Sequence, residues 1–188
     1  MPLNIPTGST NNISFGPARV FMKVWSAGAM GTPTDDVGFI GEDGVTLEMT
    51  SDKKNIQQGN PYLTEFSFVQ AQSATISFTS IMYNFENFRL AMGAGTTTFS
   101  AAAETFAFGG NPLNTETAIK LQHEMAVTGN TLDVYAWKTQ SESGFSIPFG
   151  SDEHGFDFSF RCIRSLTDWG GTSHPTTDQA LLQIKRIK

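Results

Sequence analysis

The stretch FIGEDGVTLEMTSDKKNIQQGNPYL, Phe39 to Leu63, carries the first clear structural signal of the chain. Val45, Leu47 and Met49 alternate with Thr46, Glu48 and Thr50, the period of two expected of a strand with one buried face. Asp43-Gly44 stands just before them, and glycine supplies the positive φ that a tight turn needs. Val37 to Ile40 and Val45 to Met49 are therefore expected to form a hairpin around Glu42-Asp43-Gly44. After Met49 the alternation stops. From Thr50 to Pro61 the only aliphatic side chain is Ile56, and this segment reads as a polar tether between strands.

On the N-terminal side, Val20, Met22 and Val24 alternate with Phe21, Lys23 and Trp25 and predict a first strand. Residues 1–14 show neither strand nor helix period and read as an N-terminal arm. Residues 15–188 read as one domain, because a chain of 188 residues is too short for two comfortable cores. On the C-terminal side Phe66 and Phe68 resume the alternation, and Ala74, Ile76 and Phe78 continue it, as two strands or one strand bent near Ala71 to Ser73. The period then changes. In YNFENFRLAMG, residues 83–93, Phe85, Phe88 and Met92 fall at helical spacing, Asn84 can cap the start and Gly93 the end. Residues 94–114 are small and polar, with AETFAF as a short edge strand. Ile119 to Val127 and Leu132 to Ala136 predict a second hairpin across Thr128-Gly129-Asn130. Phe145 to Phe149 reads as a weak strand, Phe156 to Cys162 as a strong one, and LLQIKRIK as a terminal strand. The expected fold is mainly β, a β-sandwich or open barrel with one flanking helix.

Composition agrees with strands and tight turns: 16 Phe, 18 Gly and only 16% charged residues. A net charge of −6 argues against gripping nucleic acid, which takes clustered Lys and Arg. The one cysteine, Cys162, sits in an apolar run and reads as a small buried hydrophobe. Met1 to Ser14 has no basic start and apolar run of a signal peptide, and no stretch is long and apolar enough to span a membrane. Synthesis in a cytoplasm is the resulting expectation.

Catalytic signatures are wanting. His123-Glu124 lacks the second His of a zinc helix and lies in a strand pattern. Asp152-Glu153-His154 cannot act as a relay, since adjacent residues of an extended chain point to opposite sides. The MGAGTTT run, residues 92–98, follows a helix and has no phosphate-binding Lys. No enzyme, metal or cofactor is expected. Trp25, Trp137 and Trp169 admit two readings: core packing, or stacking platforms of a discrete carbohydrate-binding β-sandwich, itself a candidate virion accessory protein.

Three long irregular segments, residues 1–14, 50–62 and 94–114, remain. Loops of this length are functional or disordered, and with no catalytic residue on them contact between subunits is the economical function. Fourteen extended residues reach roughly 45 Å, about the diameter of a globule with the radius of gyration of roughly 16 Å expected for this length, so the arm can leave its own subunit.

Four segments in order, FGPARVFM (15–22), DVGFIGEDGVTLEMT (36–50), SIMYNFENFRLAMG (80–93) and FDFSFRCIRSLTD (156–168), resemble the major tail tube proteins of long-tailed (siphovirus-type) bacteriophages and related prophages. The resemblance implies a β-sandwich subunit with a flanking helix that forms hexameric rings, stacked into a tube through which DNA passes without specific binding. It implies tape measure, tail terminator and baseplate or tip proteins as partners, and a place in the virion tail after synthesis in the host bacterium. The GPARV opening favours the flexible-tailed branch. In this frame the tether Thr50 to Pro61 packs on a neighbouring subunit, through Lys53, Lys54, Gln57, Asn60 and Pro61. A channel for DNA should be neutral to acidic, because a basic wall would hold the phosphates. Thr46, Glu48, Thr75, Ser77, Gln122 and Glu124 fit such a wall, whereas Lys120 and Arg161 need carboxylate partners to be tolerated on it.

Overall fold

The strands predicted from a shared buried face at Val20 to Val24, Ala74 to Phe78, Ile119 to Leu121, Leu132 to Ala136 and Phe156 to Cys162 are all present in the fold. The computed structural model describes residues 18–188 except 27, 29, 60–62, 111–113, 126–128, 143, 145, 148–154 and 175–179. In chain order the elements are β1 (Arg19–Val24), β2 (Asp35–Asp36), β3 (Ile40–Gln58), β4 (Leu63–Ser80), α1 (Phe85–Met92), β5 (Thr96–Phe99), β6 (Glu104–Ala107), β7 (Glu116–Glu124), β8 (Thr131–Ser141), β9 (Phe156–Cys162) and β10 (Leu182–Ile187). The fold is mainly β, with a large antiparallel sheet ordered β2-β1-β7-β8-β9-β4-β3 and a separate β5-β6 ribbon.

The large sheet forks at β8. One edge of β8 pairs with β7 along its length. Its other edge pairs first with β10, over Thr131 to Ala136, and then with β9, over Thr139 to Ser141. Two wings diverge from this fork and close on one core in a sandwich-like arrangement. Val20, Met22, Ile119, Leu121, Val134 and Ala136 come from one wing, and Ile76, Phe78, Phe156, Phe158 and Phe160 from the other. Phe78 meets Phe158 edge-on with centroids 5.4 Å apart. Each buried phenylalanine contributes about 1.5–3 kcal/mol of transfer free energy relative to exposure, so the alternation in β9 is a main source of stability.

The helix forms where its caps and spacing require. Asn84 Oδ1 accepts from the backbone N–H of Glu86 at 2.9 Å and of Asn87 at 3.3 Å, and Gly93 ends the helix at φ 61°. Arg89 pairs with Glu86 one turn back, and this guanidinium holds the Glu86 carboxyl below the usual carboxylate range. Phe88, Leu90 and Ala91 turn inward, and the buried Asn87 amide donates to Val37 O at 2.9 Å. The helix thereby closes one end of the core, with Phe88 4.9 Å from Phe156. The short strand read in AETFAF is β6, and it pairs with the unforeseen β5 as a ribbon that places Phe106 against Phe88 at 6.5 Å.

Two expectations fail. Glu42-Asp43-Gly44 is no hairpin turn: Ile40 pairs with Ser80 and Val45 with Phe78, so Gly41 to Gly44 bulge opposite Thr79 within one continuous strand. Gly44 does adopt φ 70°, but the positive φ serves a bulge. Nor is Thr50 to Pro61 a tether over its described part. Thr50 to Gln58 are strand, each with a partner on β4, across two register shifts after Asp52 and Ile56. Alternation was silent here because neither face of this ladder is buried, and a period of two appears only where one face is. Phe66 to Phe78 is accordingly one strand, the second of the two readings, with a register shift next to Ala71. Residues 1–14, Asn60 and Pro61, and most of the weak strand expected at Phe145 to Phe149 lie outside the described residues.

Candidate functional site

Residues directly opposite one another in an antiparallel ladder project from the same face. Glu48 lies opposite Thr75, Thr75 opposite Arg161, Arg161 opposite Gln140 and Gln140 opposite Glu116. This polar row crosses five strands. A second row runs through Thr46, Ser77 and Ser159. The structure therefore brings Thr46, Glu48, Thr75 and Ser77 together on one face, the face opposite the core. Gln122 and Glu124 follow Glu116 on that same face of β7, but farther along, beyond a patch that is covered.

The cover is aromatic. Ala118, Trp137 and Trp169 are buried together, with Trp25, Met30 and Tyr135 packed against them. Trp169 Nε1 donates to Trp137 O at 2.9 Å, and the two rings meet at 5.1 Å. Asp168 shapes the loop that delivers Trp169, since its Oδ1 accepts from the N–H groups of Gly170 and Thr172, both at 2.9 Å. Trp25 lies under the Lys138 ammonium at 4.2 Å. Two tryptophans are thus buried and the third is capped by a cation. Sequence periodicity could place Trp137 on a strand but could not say that a loop over thirty residues on would cover it.

Three cations of this face have a carboxylate close by. Lys120 Nζ is 3.0 Å from Asp133, Arg161 Nε is 2.6 Å from Glu142, and Lys138 Nζ is 2.6 Å from Glu116. Lys120 and Arg161, the two residues that count against a neutral wall, each have the carboxylate partner required. Burial, helped by the neighbouring Asp133 carboxylate, raises the Tyr135 phenol above its ordinary value, so Tyr135 stays neutral and adds no charge.

The expected inter-subunit loop is an arm built of strand. From Thr50 opposite Ser73 to Gln58 opposite Leu63 the β3-β4 ladder continues past the core, a length of roughly 25–30 Å at the usual rise. Lys53, Lys54 and Gln57 are all exposed on it, opposite Val69, Phe68 and Thr64. What sequence reading missed is the apolar content. Ile56 pairs with Phe66 and Lys54 with Phe68, so Ile56, Phe66 and Phe68 share one face, with 50%, 59% and 39% of their surface exposed. The Phe66 and Phe68 rings stack at 6.2 Å. The missed signal was that both phenylalanines alternate inside a segment whose opposite strand is polar, so no core is available to them. β3 is also the outer strand of the sheet: among the described residues it pairs with β4 alone.

Among the described residues no cluster of His, Cys, Asp and Glu could hold a metal ion, and no helix is long and apolar enough to cross a membrane. His123 lies on the core-facing side of β7, apart from Glu124. No protein-family model matches the chain, and no curated protein is significantly similar to it.

Proposed function

We propose that this chain is a structural subunit that assembles with copies of itself into stacked hexameric rings, the tail tube of a long-tailed bacteriophage through which DNA passes. The observation that carries this reading is the β3-β4 arm, which leaves the core and holds Ile56, Phe66 and Phe68 in water. A contiguous apolar surface rimmed by polar residues marks a contact with another protein, and an arm of this reach is suited to a neighbouring ring. The open edge of β3 supports the same reading, since an unpaired strand accepts the sheet of another subunit. Lys53 and Lys54 on that edge discourage promiscuous pairing.

The polar face supports a channel wall. Thr46, Glu48, Thr75 and Ser77 offer hydroxyls and a carboxylate, and Lys120, Lys138 and Arg161 on the same face are each paired with a carboxylate. Such a wall does not exchange counterions with phosphate, so DNA can move along it. Gln122 and Glu124 belong to the same side of the subunit on this reading, and tape measure, terminator and tip proteins would be its partners. A carbohydrate-binding module would need tryptophan faces open to water, and Trp137 and Trp169 are buried.

Electron microscopy of the concentrated protein in negative stain tests the proposal: hollow tubes or stacked rings are expected. Because Ser51 and Gln72 are partners, replacing residues 52–71 by Asn-Gly shortens the arm while keeping the register. The shortened protein should stay folded and form no tubes. Tubes of unchanged abundance from it would overturn the assignment of the arm to assembly, and single particles from both proteins, with or without added tail components, would overturn the tube.

A further inference from the structure

Between the two wings lies a cleft of about 800 Å³. Its walls are mostly apolar and come from both wings: Val45 and Leu47 on β3, Leu121 on β7 with His123 beside it, Leu132 and Val134 on β8, and Ile184 on β10. The Gly41 to Gly44 bulge forms part of the rim. Ile184 remains 43% exposed, although it sits on the core side of β10, opposite Val134. An open core of this kind leaves apolar surface in water that any covering apolar side chain would remove.

Ala18, the first described residue, is itself part of the cleft wall. The chain preceding it therefore begins at the mouth of the cleft, and it brings Phe15 and Ile13, within about 10 Å and 17 Å of extended reach. We propose that the cleft is the docking site of this chain's own N-terminal segment, with Phe15 and Ile13 filling the space between Leu47, Leu132 and Ile184. Tethering decides the choice of occupant. A segment attached at the rim faces the cleft at an effective concentration in the millimolar range, far above that of any free partner in dilute solution. The docked segment completes the core that the fork of the sheet leaves open.

A cysteine reporter tests this without any assembled form. Cys162 is the only native cysteine and is buried, so a new surface thiol is read against a silent background. Ile184→Cys places the thiol in the cleft and Glu42→Cys, on the exposed bulge, places one at its rim without touching the core. Maleimide labelling is followed at dilute protein, with and without Phe15→Ser. If the segment fills the cleft nine-tenths of the time, labelling is confined to the open tenth and Phe15→Ser speeds it about tenfold at Ile184→Cys. Equal rates with and without Phe15→Ser at both reporters would overturn the proposal. Protection that grows with protein concentration would also overturn it, because the occupant would then be a second copy.

Discussion

Replacing both arm phenylalanines, Phe66→Ser with Phe68→Ser, should weaken assembly sharply while leaving the subunit about as stable as before. Phe66 and Phe68 expose 59% and 39% of their surface. With about 200 Å² for a phenylalanine, these fractions amount to roughly 120 and 80 Å². Covering all of it in an interface would contribute up to about 5 kcal/mol per subunit at about 25 cal/mol per Å². Side-chain ordering and imperfect burial reduce the realised value. If half survives, the loss is about 2.5 kcal/mol, and the critical concentration for assembly rises roughly 70-fold. The monomer behaves differently, because exposed side chains away from any core change stability by no more than about 0.5 kcal/mol. Pelleting across a concentration series reads the first quantity, and urea unfolding of the dilute protein reads the second. An unchanged critical concentration would refute the role given to the arm. A fall of more than about 2 kcal/mol in monomer stability would refute the premise that the two rings serve no fold of their own.

Three further predictions concern the subunit itself. Lys120→Met removes the ammonium from the buried Asp133 carboxylate and leaves it the Tyr135 hydroxyl at 3.2 Å; the loss should be about 3 kcal/mol, and adding Asp133→Leu should restore at least half of it in the same urea titration. Asn84→Ala removes the acceptor for two helix N–H groups and should lower the urea midpoint by about 1 kcal/mol of stability with the slope unchanged. Burial pushes the Cys162 thiol from its ordinary 9.0 up to about 12, so the folded chain keeps a proton that the unfolded chain releases. The resulting stability is complete below pH 9 and is lost as pH rises toward 12. Cys162→Ala should remove that part of the alkaline slope, and the native thiol should not react with a disulfide reagent at pH 8.

Wherever one side of an element faces the core, local pattern was enough to read it. Phe156, Phe158 and Phe160 alternate because one face of β9 is sealed, and Asn84 and Gly93 announce α1 because capping is settled within a few residues. The paired polar positions Thr46, Glu48, Thr75 and Ser77 were legible for the same reason, as the complement of a buried face. Thr50 to Gln58 were not, because a ladder wet on both faces has no pattern to display and is held by backbone partners some 5 to 23 residues away along the chain. Asp43-Gly44 could mean a turn or a bulge, since both use the positive φ of glycine, and only the pairing of Val45 with Phe78 decides. Sequence alone thus determined the mainly β class, the helix and which side chains share a face. Tertiary structure decided where the sheet forks, that Trp169 covers Trp137, and that Ile56, Phe66 and Phe68 stand in water, because burial is a property of what comes to lie against a strand and not of the strand.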